Sequence, residues 1–96
     1  MSRYAQFDED GNQYQIASNL GWSEFGKWVE SLDSEKYPAL FELWEYGSTQ
    51  DIQGLTDQLE DALKTTPPSS NVAGSAELML SGLHQSKDAH TLLVTT

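Results

Sequence analysis

Cysteine is absent from this 96-residue sequence, and histidine, proline and basic residues are few. Without cysteine the chain has no disulfide framework, no thiol nucleophile and no iron–sulfur cluster. It also lacks an apolar run of about 20 residues, the length that crosses a bilayer. The first residues combine one arginine with an acidic cluster and have no apolar stretch. We therefore expect no secretory signal and a cytoplasmic, intracellular location.

The scarcity of basic residues gives the chain a strongly negative charge. Five lysines and arginines stand against 15 aspartates and glutamates, so the formal net charge is −10. Phosphate backbones and anionic membranes both attract basic patches, so we expect neither direct nucleic-acid binding nor a membrane partner. The length suits one small acidic domain over residues 1–96.

Both ends of the sequence are typical of β-strands. Residues 3–16 predict a hairpin, because two short strand-like runs flank a segment with Gly11 and Asn12, which accept a positive φ. Its Asp-x-Asp-Gly order is shared with calcium-binding EF-hand loops. The spacing excludes that site, because Ala17 stands where the loop requires a bidentate glutamate. Residues 91–96 are rich in β-branched side chains and predict a strand that packs against the hairpin.

Between these ends, the apolar residues recur every three to four positions, as on an amphipathic helix. This pattern predicts four helices, over residues 19–32, from Pro38 to just before Gly47, over about 49–65 and over 71–84. The sequence therefore predicts an α+β domain, mostly helical, with four helices and a small antiparallel sheet made by the hairpin and the C-terminal strand.

Several residues indicate where these helices begin and end. Ser18 or Asn19 can accept a hydrogen bond from the first turn of the first helix. Pro38 suits the first position of the second helix, and Gly47 suits the position just after it. Ser48 and Asp51 have the spacing of a capping box, which predicts that the third helix begins there.

The inward faces of the four helices predict the hydrophobic core. Each helix has a stripe of large apolar side chains at helical spacing. The predicted core residues are Phe25, Val29, Leu32, Leu40, Leu43, Trp44, Ile52, Leu55, Leu59, Leu63, Met79, Leu80 and Leu83.

The sequence has few of the residues that catalysis needs. His84 and His90 lie near Ser81, Ser86 and Asp88, but the chain has no nucleophile elbow, no nucleotide-binding loop and no Glu-x-x-His metal motif. We therefore expect no enzymatic activity, no cofactor and no metal site. The alternative is a small metal- or histidine-dependent enzyme, which would need a histidine and a nucleophile to converge in one pocket.

The negative charge is concentrated in the first three predicted helices. Residues 22–63 contain ten carboxylates against two lysines, whereas residues 64–96 are balanced. One interpretation is a solvated surface that confers solubility, and the other is an electrostatic surface for a basic partner. Trp22 or Trp28, if exposed, would add an apolar contact. The predicted partner-binding carboxylates are Glu24, Glu30, Glu42, Glu45, Asp57, Glu60 and Asp61.

The segment from Ser18 to Val29, with the run from Leu55 to Leu63 and the Pro67–Pro68 pair, resembles small acidic proteins of phage and prophage type. That resemblance implies a mobile-element origin and an inhibitor of host systems. We therefore expect a non-catalytic module, an inhibitor or regulator that docks on a basic protein surface, including one that normally binds nucleic acid. The alternative is a structural subunit of a larger assembly, such as a virion, held by apolar contacts.

Overall fold

Strands from both ends of the chain form the sheet, and the helices lie between them in sequence. The computed structural model describes residues 2–8, 13–86 and 88–95. Its elements are β1 (Ser2–Phe7), β2 (Gln13–Ser18), α1 (Asn19–Glu30), α2 (Pro38–Tyr46), β3 (Ser48–Thr49), α3 (Ile52–Thr65), α4 (Ser70–Gln85) and β4 (Leu92–Thr95). The predicted α+β class, with four helices and an antiparallel sheet, is confirmed. None of the described helices is long and apolar enough to cross a membrane.

The sheet has the strand order β2-β1-β4-β3, and every neighbouring pair is antiparallel. Strand β1 pairs on one side with β2, where Tyr4 faces Gln15, and on the other with β4, where Tyr4 faces Thr95. The predicted pairing of the C-terminal strand with the hairpin is therefore confirmed. Residues 9–12 of the predicted hairpin turn lie outside the described residues.

The start of the third helix differs from the prediction. Ser48 and Thr49 form the short edge strand β3, paired with Leu93 and Leu92, and the helix begins only at Ile52. Its N-cap is Asp51, whose carboxylate accepts a hydrogen bond from the backbone N–H of Gly54 at 2.9 Å. The prediction of a helix from residue 49 was wrong because pairing with β4 holds this segment extended. Sequence spacing alone does not show such a tertiary contact.

Helix α1 ends at Glu30, two residues before its predicted end. The ends marked by Ser18, Pro38 and Gly47 follow the predicted signals, with one addition. Ser18 caps α1 by accepting from the backbone N–H of Gly21 at 3.0 Å. Gly47 ends α2 in the left-handed region, at φ 74°, which favours glycine. The N-terminus of α2 has no cap from its own segment. Instead, the side-chain oxygen of Gln58 on α3 accepts from the first free N–H groups of α2, at 2.9 and 3.2 Å.

The core lies between the sheet and the helices and contains most of the predicted residues. Leu32, Trp44, Leu63 and Leu80 are only partly buried, at its margin. The sheet contributes inward side chains that the helical pattern did not include, among them Phe7, Ile16 and Leu92. The predicted residues that are buried are Phe25, Val29, Leu40, Leu43, Ile52, Leu55, Leu59, Met79 and Leu83.

Asp8 fastens the end of β1 to the start of β4. Its carboxylate accepts from the backbone N–H groups of His90 and Thr91, at 2.6 and 2.9 Å. Its own N–H donates to the carbonyl of Thr91 at 3.0 Å. The hydrogen bonds from Thr91 and then His90 lower the pKa of Asp8, because they stabilise the ionised carboxylate. We call this set of contacts the Asp8 clasp.

Leu59→Ala should destabilise the fold strongly. Leu59 is fully buried, so removing its side-chain carbons should cost about 2–5 kcal/mol of unfolding free energy. Urea denaturation followed by circular dichroism measures that cost. Leu63→Ala, one turn further along α3 at the margin of the core, is the matched control and should cost less. Equal costs for the two variants would contradict the orientation of α3.

Asp8→Asn should reduce stability at neutral pH and lose that effect in acid. The clasp stabilises the fold above the ordinary aspartate pKa of 3.8, and the stabilisation disappears as the pH falls through the lowered pKa. The urea midpoints of wild type and Asp8→Asn should therefore differ at pH 7. This difference should begin to shrink below about pH 4 and disappear once the pH is below the lowered pKa of Asp8. Asp88→Asn controls for the loss of one exposed charge. Midpoints that stay equally far apart in acid would show that the Asp8 charge does not carry the effect.

Candidate protein-binding face

Trp44 connects the aromatic core to the surface of α2. Its indole lies beside Trp22, with ring centroids 5.6 Å apart, and Trp22 stacks on Phe25 at 5.0 Å. The indole also lies against the backbone of α1 at Gly26, where an added Cβ would collide with it. The indole N–H donates to the carboxylate of Glu30 at 2.9 Å. Trp44 therefore fixes α2 against α1 and holds one carboxylate at the surface.

The two tryptophans considered as partner contacts lie in the core. Trp22 is 7% exposed and Trp28 is 8% exposed. The indole N–H of Trp28 donates to the backbone carbonyl of Thr66 at 2.8 Å, so its polar atom is also satisfied within the fold. Neither side chain offers the exposed surface on which that hypothesis depended.

The outward side of α2 carries both aromatic and acidic side chains. Phe41, Glu42 and Glu45 lie away from the buried stripe of Leu40 and Leu43, and Tyr46 follows Glu42 one turn later at the end of the helix. Tyr46 is 72% exposed, Glu42 and Glu45 are exposed, and Phe41 and Trp44 are partly exposed. Together with the neighbouring Glu30 they form a continuous set that we call the α2 face: Glu30, Phe41, Glu42, Trp44, Glu45 and Tyr46.

Two shallow clefts flank α2 along this face. Glu30, Phe41, Trp44 and Glu45 line the first, between α2 and the end of α1. The second lies where α2, β3 and the start of α3 meet. Its lining residues are Glu42, Tyr46, Ser48, Thr49, Gln50 and Asp51. Among the described residues, the lining of both clefts contains carboxylates and no basic side chain, so each would favour a positively charged group.

The remaining predicted carboxylates are not part of the α2 face. Glu24 lines a separate cleft between α1 and α4. Asp57 and Glu60 line a groove between α3 and α4, where Glu60 lies 3.4 Å from the ring nitrogen Nε2 of His84. The structure therefore distributes the predicted site residues over several surfaces. Glu30 and Glu45 share one cleft beside α2, Glu42 lines the other, and Asp57 and Glu60 share the groove between α3 and α4.

Asp61 supports the fold from the surface. Its carboxylate accepts from the hydroxyl of the buried Tyr37 at 2.6 Å and lies 3.4 Å from the ammonium group of Lys36. The hydrogen bond from Tyr37 is the largest cause of the lowered pKa of Asp61, and Lys36 adds to it. Reversing the charge of Asp61 would disturb these contacts, so this residue is unsuitable for testing a partner surface.

The two histidines occupy different places. His84 lies in the last turn of α4, whereas the backbone of His90 takes part in the Asp8 clasp. Within the described residues, no three histidine, aspartate or glutamate side chains are placed to hold a metal ion.

Comparison with known proteins gives no match to a protein-family model, a curated protein or a solved structure. The α2 face is therefore interpreted from its own chemistry. Carboxylates beside partly exposed aromatic rings can bind lysine or arginine side chains, by ion pairing and by cation–π contact. The sequence signal for this face was available, because Phe41 and Glu45, Glu42 and Glu45, and Glu42 and Tyr46 are three or four residues apart and therefore neighbours on the helix.

Gly26→Ala should destabilise the fold, because the new methyl group would displace the indole of Trp44. We expect a loss of about 1–3 kcal/mol, typical of an overpacked site. Gly74→Ala, on an open position of α4, is the matched control and should stabilise by up to about 1 kcal/mol. Urea denaturation measures both effects. A Gly26→Ala variant as stable as Gly74→Ala would show that Trp44 does not pack on α1 as described.

Proposed function

We propose that this protein is a non-catalytic binding module that docks on a basic protein surface through the α2 face. The observation that carries the proposal is that each cleft combines carboxylates with an aromatic ring. Glu30 and Glu45 lie with Trp44 in one cleft, and Glu42 lies with Tyr46 in the other. The two clefts of this face have acidic linings, and the described residues place no lysine or arginine in either.

The face has the two components that recognition of a cationic side chain needs. Tyr46 and the partly exposed edge of Trp44 offer rings for a guanidinium or ammonium group and belong to the residue types enriched in binding hot spots. Glu42 and Glu45 supply carboxylates on the same side of the helix. Among the described residues neither has a salt-bridge partner, so a partner would not need to displace an internal ion pair.

The net charge of −10 supports the same proposal at longer range. A chain with that excess of negative charge attracts basic proteins over distances of about a Debye length and raises their rate of association. The long-range attraction is not specific for one partner. Specificity would come from the close contacts with the rings and clefts of the α2 face.

The proposed partner is a protein with a basic surface. An acidic face of this kind suits a regulator or inhibitor that covers the basic surface of another protein, including one that otherwise binds nucleic acid. The resemblance to small acidic phage-type proteins agrees with that role. If the partner binds DNA through the covered surface, double-stranded DNA will compete with the protein for it.

Reversing two charges on the α2 face should weaken partner binding selectively. We expect Glu42→Lys with Glu45→Lys to slow association by about tenfold or more, because steering and local pairing are both lost. Partners are captured on the wild-type protein from a lysate of the source organism at about 0.1 M salt and identified by mass spectrometry. The association rate of the purified partner is then measured with each variant.

Glu77→Lys with Asp88→Lys is the matched control, because it changes the net charge equally at exposed positions outside the α2 face. This control should slow association much less than the α2 variant. Equal slowing would mean that only the overall charge matters and would contradict a specific α2 site. A partner that stays fully bound at about 1 M salt would instead favour the alternative of an assembly subunit held by apolar contacts.

A further inference from the structure

The cleft between α2 and the end of α1 has the size and lining of a site for one side chain. Its volume is about 280 Å³, slightly below the range of about 300–1,000 Å³ that is usual for small-molecule sites. Phe41 and Trp44 line it with partly exposed rings, and Glu30 and Glu45 line it with exposed carboxylates. We call it the Trp44 cleft. A single side chain of a docked protein fits this volume better than a separate small molecule does.

Both carboxylates of the Trp44 cleft stand where a helix disfavours negative charge. Glu30 is the last residue of α1, and Glu45 is the last but one of α2. The C-terminus of a helix carries a partial negative charge, so a cation is favoured there. The last turn of α2 has no basic residue. Lys27, in the last turn of α1, does not line the cleft and forms no ion pair with Glu30 in the described structure.

Two helix C-termini and two carboxylates therefore add their negative charge at one cleft. Within the described residues, no basic side chain lines it to balance that charge. The cleft is thus complementary to a cation that a partner brings.

Trp44 fixes the position of one carboxylate. Its indole N–H donates to Oε1 of Glu30 at 2.9 Å, and the indole itself is held against Gly26 and Trp22. Among the described residues, the other oxygen of Glu30 and the carboxylate of Glu45 have no hydrogen-bond partner. The cleft therefore presents free acceptors from two helices on either side of an anchored ring.

We infer that the partner inserts an arginine side chain into the Trp44 cleft. The guanidinium stacks on the rings of Trp44 and Phe41, and its N–H groups donate to Glu30 and Glu45. The inference rests on the proposed function, because it takes the α2 face as the docking site and names the residue that this face recognises.

The geometry of the cleft favours arginine over lysine. A guanidinium is flat and carries its donors in one plane, so it can stack on a ring and bond to two carboxylates at once. A lysine ammonium is compact and strongly hydrated, and it acts as a point charge. The acceptors from α1 and α2, placed around one ring, match the first arrangement.

The second cleft of the α2 face does not share this arrangement. The Asp51 carboxylate there already caps α3 by accepting from Gly54, so Glu42 is left as the free carboxylate beside Tyr46. Tyr46 is 72% exposed and is not enclosed by a second ring. We therefore expect this cleft to accept a cation without preference for arginine.

The test compares two capped tripeptides of equal charge, N-acetyl-glycyl-arginyl-glycine amide and the same peptide with lysine. Binding is followed by the indole N–H signals of the three tryptophans in a ¹H–¹⁵N spectrum. The arginine peptide should shift the Trp44 signal saturably, and the lysine peptide should bind at least about threefold more weakly, since it lacks the stacked guanidinium. The signals of the buried Trp22 and Trp28 should move little.

Glu45→Gln and Glu42→Gln form a matched pair, because each removes one exposed charge from α2 and only Glu45 lines the Trp44 cleft. We expect Glu45→Gln to weaken binding of the arginine peptide by about threefold and Glu42→Gln to change it little. Circular dichroism checks that both variants are folded.

Three results would each overturn the inference. They are equal affinities for the two peptides, no shift of the Trp44 signal with arginine peptide up to about 100 mM, and equal weakening by the two glutamine variants. The proposed function fails by a different result, namely when reversing the charges of Glu42 and Glu45 does not slow association of the captured partner. A partner that needs those carboxylates, together with peptides that bind equally, would retain the docking face and remove its preference for arginine.

Discussion

The contact between Trp44 and Gly26 is the constraint on which the helical layer and its surface both depend. Because Gly26 has no side chain, the indole approaches the backbone of α1 and continues the aromatic stack of Trp22 and Phe25. The same indole donates its N–H to Glu30 at the end of α1. One residue thus sets how α2 lies on α1 and which groups α2 presents to solvent.

The acidic residues of this chain serve two different purposes, which a count of charges does not separate. Asp8, Asp51 and Asp61 accept hydrogen bonds that hold strand ends, a helix start and a buried tyrosine. Their negative charge is part of the fold. Glu42 and Glu45 point outward from α2 and have no salt-bridge partner among the described residues. Only carboxylates of this second kind can be exchanged without altering the folded structure.

Local signals in the sequence were sufficient for most of the architecture. Ser18, Pro38 and Gly47 mark helix ends through the geometry of their own segments, and the apolar periodicity identifies the buried side of each helix. The short strand β3 and the cap that Gln58 gives to α2 were missed. Both depend on residues distant in sequence, and no local pattern contains that information.

The candidate site was less predictable for the same reason. The sequence located the acidic segment, but the arrangement of α1–α3 determines which carboxylates become neighbours. Trp22 and Trp28 are buried, whereas Trp44, expected in the core, lies at its margin. A helical pattern shows which side of a helix is apolar. It does not show how much of a large ring the next helix will cover.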